Sequence, residues 1–140
     1  MLGQYLELPM PFALKRSCCA ELQELLHTEK LKKTALGATQ SIDWIHEENV
    51  VKAVKDLQQL GYKALAIEQT DDSTWLEEVQ FEKNVKYCLV FGNEVFGVTD
   101  EVINICDERV EIPQFGTKHS FNISVSMGIV LWDYYLKTRN

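Results

Sequence analysis

The sequence has no apolar run approaching the ~18 residues that a membrane span needs, which argues against an integral membrane protein. Its opening, MLGQYLELPMPFALKRS, lacks a basic stretch followed by a long apolar one, so export is not expected and a cytoplasmic protein is. Cysteine is sparse. The four thiols, Cys18, Cys19, Cys88 and Cys106, form no CxxC pair and have no histidine cluster beside them. They read as reduced residues of a cytosolic protein, and no metal site is expected. The three prolines and seven glycines are scattered, which excludes a low-complexity linker. Basic charge is also scarce, with 14 Lys+Arg against 21 Asp+Glu for a net charge of −7. Arginine occurs only as Arg16, Arg109 and Arg139. Composition alone therefore argues against a broad surface for a phosphate backbone.

What is present suits one globular domain: 140 residues, 46% hydrophobic and 25% charged. Val50, Val51, Val54, Leu57 and Leu60 recur at helical spacing within residues 48–60, and Gly61 supplies a stop. Residues 62–68 alternate and then run apolar, as a strand does. YCLVF at 87–91 is continuous enough for a strand buried on both faces. Residues 99–106 read as a short helix with Thr99 as its N-cap and acids in the first turn. A strand at 109–112 ends at Pro113. A last helix over 122–136 carries Ile123, Val125, Met127, Ile129, Val130, Trp132 and Leu136 on a broad face expected to be buried. Strands alternating with helices imply an α/β fold with a mostly parallel sheet. Residues 1–28 do not fit this pattern, although LKRSCCAELQELLH is compatible with an amphipathic helix.

Two loops carry candidate chemistry. The first, FGNEVFGV over 91–98, directly follows the buried strand. Gly92 would let a ligand approach the backbone at a strand's carboxyl end, with Asn93 and Glu94 projecting over it. A plain turn with a solvated Glu94 explains the same residues. The second, IPQFGTKHSFN over 112–122, joins a strand end to a helix start. Ser120 or Asn122 could simply cap that helix, or the free N–H groups could hold an anion. His119 reads as solvated or supporting rather than catalytic.

Together, LVFGNEVFGVTDEVINICDERVEIPQFGTKHSFNISVSMGIVLWDYY resembles the second and third motifs of the SpoU branch of the SPOUT RNA methyltransferases. Those motifs are a strand followed by GNE-x-x-G, then I-P-x-x-G, then Ser-aliphatic-Asn opening the last helix. KTALGA at 33–38 resembles the family's segment after its second strand, so the likeness spans about residues 29–136. Phe121 stands where the family usually has Leu, and Val95 where Gly is common.

The resemblance implies an α/β domain at 29–140 with a C-terminal trefoil knot. It further implies an S-adenosylmethionine-dependent methyltransferase acting on a ribose 2′-hydroxyl of tRNA or rRNA, and a homodimer. Carried over, the cofactor pocket would use the backbone at Leu89, Gly92, Ile112 and Phe121. Glu94, Ser120 and Asn122 would be the polar groups at the reaction centre. Trp44, Trp75 and Trp132 read as core or dimer-interface residues rather than base-stacking platforms.

The family's first motif, N-x-G-x-x-x-R-T, provides an Arg for phosphate binding and hydroxyl deprotonation, and it is missing from residues 1–28. Arg16 is a poor substitute. Codon degeneracy permits a shifted frame over residues 1–26 that contains N-V-G-S-I-F-R-T and runs into KTALGA. The expectation is that this segment is out of frame, and a gene with no one- or two-base offset near codon 27 refutes it. The competing expectation for the chain as it stands is a catalytically impaired knotted dimer that binds cofactor or RNA without transferring methyl. An ordinary nucleotide-binding module ranks last, since no GxGxxG follows a strand.

Overall fold

A computed structural model describes residues 4–8, 16–19, 47–92, 96–116 and 121–139. Lys33–Ala38, Trp44, Glu94, His119 and Ser120 lie outside the described residues. Asn49 opens helix α1 (Val50–Gln59), its side chain accepting from the Lys52 N–H at 2.9 Å. Val50, Ala53, Val54 and Leu57 make the buried stripe that the spacing predicts. The chain then turns into strand β3 (Tyr62–Ile67), whose period of two sends Ala64 and Ala66 to one face and Leu65 and Ile67 to the other.

A two-residue strand β4 (Thr74–Trp75) and a 3-10 turn (Leu76–Glu78) follow, too short for any periodicity to announce. Strand β5 (Lys86–Phe91) is the YCLVF run, buried from Tyr87 to Phe91. Helix α2 (Asp100–Ile105), strand β6 (Glu108–Glu111) and helix α3 (Ile123–Thr138) complete the order, within two residues of the limits expected.

These elements build three layers around a six-stranded sheet of order β2-β1-β5-β3-β6-β4, with β1 spanning Gln4–Leu8 and β2 Arg16–Cys19. On one face α1 and α2 cover Ala64, Ala66, Cys88 and Val90. On the other, α3 covers Leu65, Leu89, Phe91 and Val110 through Val130 and Tyr134. Phe81, Tyr87 and Tyr134 meet edge to face there, with ring centroids 5.2, 5.2 and 6.0 Å apart. Lys137 docks the end of α3, donating to the Leu76 carbonyl at 2.7 Å and pairing with Asp133 at 2.8 Å. Cys88 and Cys106 are buried thiols, and desolvation pushes Cys106 up to about 12.

The sheet is mostly parallel, as expected: β3 pairs in parallel with β5 and β6, and β4 with β6, while one edge is antiparallel, where β1 pairs with both β5 and β2. Two other expectations need correction. Residues 16–19, compatible with a helix by pattern, form strand β2, because β1 along the side of β5 offers a backbone edge to pair with. The last helix does not bury a broad face. It inserts only Val130, Tyr134 and Thr138 deeply, and Val125, Trp132 and Leu136 are 49%, 59% and 39% exposed. One helix laid on a sheet can press only one stripe against it. Trp75, at 42% exposed, is not core either.

Asp107 locks the start of β6. Its Oδ2 accepts from the Ala64 N–H at 2.7 Å and from Gln58 Nε2 at 3.0 Å, while its own N–H donates to the Ala64 carbonyl at 2.8 Å. Asp107→Ala leaves the Ala64 N–H without that acceptor and is expected to cost about 1–3 kcal/mol in urea unfolding.

Candidate active site

The carboxyl ends of β3, β5 and β6 open on a common side, where α/β folds place their ligands. There the chain leaves a cleft of about 640 Å³. Ile67, Phe91, Val98, Ile103 and Ile112 supply its apolar wall, and Glu68, Asp71, Asp100 and Glu111 supply carboxylates. Its mouth carries Phe96 and Phe121, which are 75% and 38% exposed. Ser73 Oγ donates to Glu111 Oε2 at 2.6 Å, tying the loop after β3 to the end of β6.

The loop after β5 folds back on itself. Gly92 lies so close to Gly97 and Val98 that a Cβ on it would collide with the Gly97 carbonyl carbon and the Val98 nitrogen. Gly97 takes φ +65°, a conformation open mainly to glycine. A side chain there would run into the Glu68 carboxylate. Both glycines of the FGNEVFG pattern thus serve one narrow neck.

The structure brings together part of the expected site. Gly92, Ile112 and Phe121 all line the cleft. Leu89 does not. It is fully buried in mid-strand, with its backbone inside the β1 and β3 ladders, before the chain leaves the sheet at Gly92. Asn122 is the N-cap of α3, its Oδ1 accepting from the Ser124 N–H at 2.9 Å, between the cleft residues Phe121 and Ile123. Glu94 and Ser120 fall outside the described residues. Arg16 pairs with Glu7, which pairs with Cys88, so its backbone sits below the cleft end of β5 and two strands away.

Glu68 went unrecognised, read only as the last residue of a strand. A carboxylate at a strand's carboxyl terminus was the available signal, because that end faces the ligand side of the sheet. Among the described residues, no three His, Cys, Asp or Glu side chains gather as a metal site.

The profile of the SpoU rRNA Methylase family matches residues 12–132. The tRNA (guanosine(18)-2'-O)-methyltransferase of Aquifex aeolicus is 35% identical over 112 residues, covering 76% of this chain and 52% of that protein. The 23S rRNA (guanosine-2'-O-)-methyltransferase RlmB of Neisseria meningitidis is 31% identical over 101 residues, covering 72% of this chain and 39% of that protein. Among solved structures, the A. aeolicus TrmH/SpoU tRNA modifying enzyme superposes with a TM-score of 0.69 at 27% identity, over 77% of this chain and 54% of that one. An AdoMet-bound rRNA methyltransferase from Sinorhizobium meliloti shares the fold, with a TM-score of 0.64 at 21% identity, over 74% of this chain and 39% of that one. The chain spans about half the length of the first curated relatives it matches.

Gly92→Ala forces a methyl group into backbone on the Gly97–Val98 side and is expected to lower stability by about 1–3 kcal/mol in urea unfolding. Gly116→Ala adds the same methyl group where nothing lies within 4 Å, and is expected to leave the loop geometry undisturbed.

Proposed function

The chain belongs to the SpoU rRNA methylase family, and from that premise we propose that it transfers a methyl group from S-adenosylmethionine to a ribose 2′-hydroxyl of tRNA or rRNA. The observation that carries this reading is the cleft itself. It is lined from the ends of β3, β5 and β6, and the loops after β5 and β6 carry the family's motifs.

The residues present suit the cofactor. The cleft volume falls within the range of about 300–1,000 Å³ common for small-molecule sites. Gly92 presents bare backbone, and the apolar wall of Ile67, Val98 and Ile112 suits a flat adenosine. Glu68, Asp71, Asp100 and Glu111 are the right sign for the donor's sulfonium and ammonium groups. When bound, S-adenosylmethionine supplies a methyl group already activated on a sulfonium. The chain's task is then to hold the ribose hydroxyl in line with that carbon and to take away its proton. A bound donor would supply both the methyl carbon and the departing sulfide, leaving the chain to orient the hydroxyl and accept its proton. Glu94, Ser120 and Asn122 are the polar groups assigned to this orientation. Asn122 keeps its Oδ1 on the Ser124 N–H, so the amide nitrogen is the atom that meets substrate.

Further parts of the reading rest on the same premise. We assign a C-terminal trefoil knot, in which α3 passes through a loop formed around the GNE and I-P segments. We also assign a homodimer, supported by the apolar stripe Val125, Trp132 and Leu136 that α3 turns away from its own sheet. RNA recognition then falls on a local patch at the cleft mouth, since the acidic chain as a whole repels phosphate.

Transfer of labelled methyl from S-adenosylmethionine to bulk tRNA and rRNA tests the main reading. Affinity for S-adenosylhomocysteine without any transfer instead fits the impaired dimer, and absence of both overturns the assignment. In a frame-restored chain, Asn122→Ala is expected to abolish transfer and to cost about 1 kcal/mol through the lost cap. Asn122→Asp keeps a capping oxygen, so loss of transfer at unchanged stability assigns the amide to the reaction. For the interface, Trp132→Glu is expected to shift sedimentation from dimer to monomer, and an unchanged dimer removes α3 from it.

A further inference from the structure

Glu68, the first residue beyond β3, has two separable roles. Its backbone N–H donates to the Val110 carbonyl at 3.0 Å, carrying the β3–β6 pairing one residue past Ile67. Any side chain at this position would keep that bond. The carboxylate reaches the other way, toward the loop after β5. Oε2 accepts from the Val98 N–H at 2.9 Å, and Oε1 accepts from the Gln69 N–H at 3.2 Å.

Beneath the carboxylate lies Gly97, at φ +65°, where a Cβ would meet Oε2. On the other side Gly92 touches the Gly97–Val98 backbone. The neck is therefore pinched between a glycine backbone and a side chain that belongs to a different strand. Val98 is buried, and a buried N–H deprived of its acceptor has strong reason to move.

We propose that Glu68 is a positioning residue of the cofactor site. Its carboxylate clamps the neck formed by Gly92 and Gly97–Val98, and so sets the backbone edge that S-adenosylmethionine rests on. This rests on the methyltransferase reading for what the loop does, but the clamp itself is a property of the chain alone. A carboxylate suits the purpose, because its two oxygens take the Val98 and Gln69 N–H groups separately. Oε1 is meanwhile steadied by the Gln69 N–H.

The test compares the full chain with Glu68→Ala and Glu68→Gln, reading amide exchange at Val98 by NMR and affinity for S-adenosylhomocysteine by calorimetry. Glu68→Ala is expected to speed Val98 exchange and weaken binding by about tenfold or more, with the residue 68 amide still protected by Val110. Glu68→Gln keeps an oxygen that accepts the same N–H and is expected to stay within about threefold of the parent on both readings. Unchanged exchange and affinity in Glu68→Ala overturn the clamp. Equal impairment in both variants also overturns it, because the effect then belongs to charge. Should Glu68→Ala not fold, Glu68→Asp, one methylene too short, replaces it with the same expectation. A parent chain that does not bind S-adenosylhomocysteine counts against the methyltransferase reading, while Val98 exchange still decides the clamp.

Discussion

Strand β5 is enclosed on every side, and the rest of the molecule follows from that enclosure. Strands β1 and β3 take its backbone groups along both edges, and helices cover it from above and below. From Tyr87 to Phe91 it is buried almost completely. A strand so enclosed can offer a ligand nothing along its length, and so its chemistry is confined to the point where it ends. At Gly92 the chain leaves the sheet and immediately doubles back, and the parallel neighbours β3 and β6 finish at the same level. The cleft is what remains where these ends stop short of the helices.

The acidity of the chain takes on a different meaning once the cleft is in view. Read as a whole-molecule property, a net charge of −7 counts against any polyanionic partner. Read at the site, four carboxylates stand around a space suited to a small cationic donor. The two readings act at different distances. Salt cuts off charges farther apart than about 10 Å at 0.1 M, so a ligand in the cleft meets the sign of the carboxylates that line it more than the net charge of the chain.

The central fold was legible in the sequence because its signals are local and repetitive. The α1 stripe, the YCLVF run and Thr99 before two acids each state their element within ten residues, and the structure follows them closely. What was not legible depended on partners elsewhere in the chain. Residues 16–19 become a strand only because β1 offers an edge. Val125 and Trp132 are apolar enough for a core, yet which stripe of α3 meets the sheet is set by tertiary packing. At the site, Gly92, Ile112 and Phe121 were named through motif resemblance, and all three line one cleft. Leu89, named with them, sits in mid-strand, and Glu68 went unnoticed because its partner is thirty positions away.

That separation has a consequence for how the molecule comes together. The two halves of the neck, Gly92 and Gly97, are five residues apart and need only a short loop to close. The bond from Glu68 to Val98 spans 30 residues, and the β3–β6 pairing beside it joins Leu65 to Glu108. Contacts so distant in sequence carry a larger loop-closure cost than the local turns of the helices. The cleft exists only where β3, β5 and β6 have all come into register. A chain caught partway, with helices formed and strands not yet in register, presents no surface for a cofactor to select. Any stabilisation a bound cofactor gives is delivered only to the finished fold.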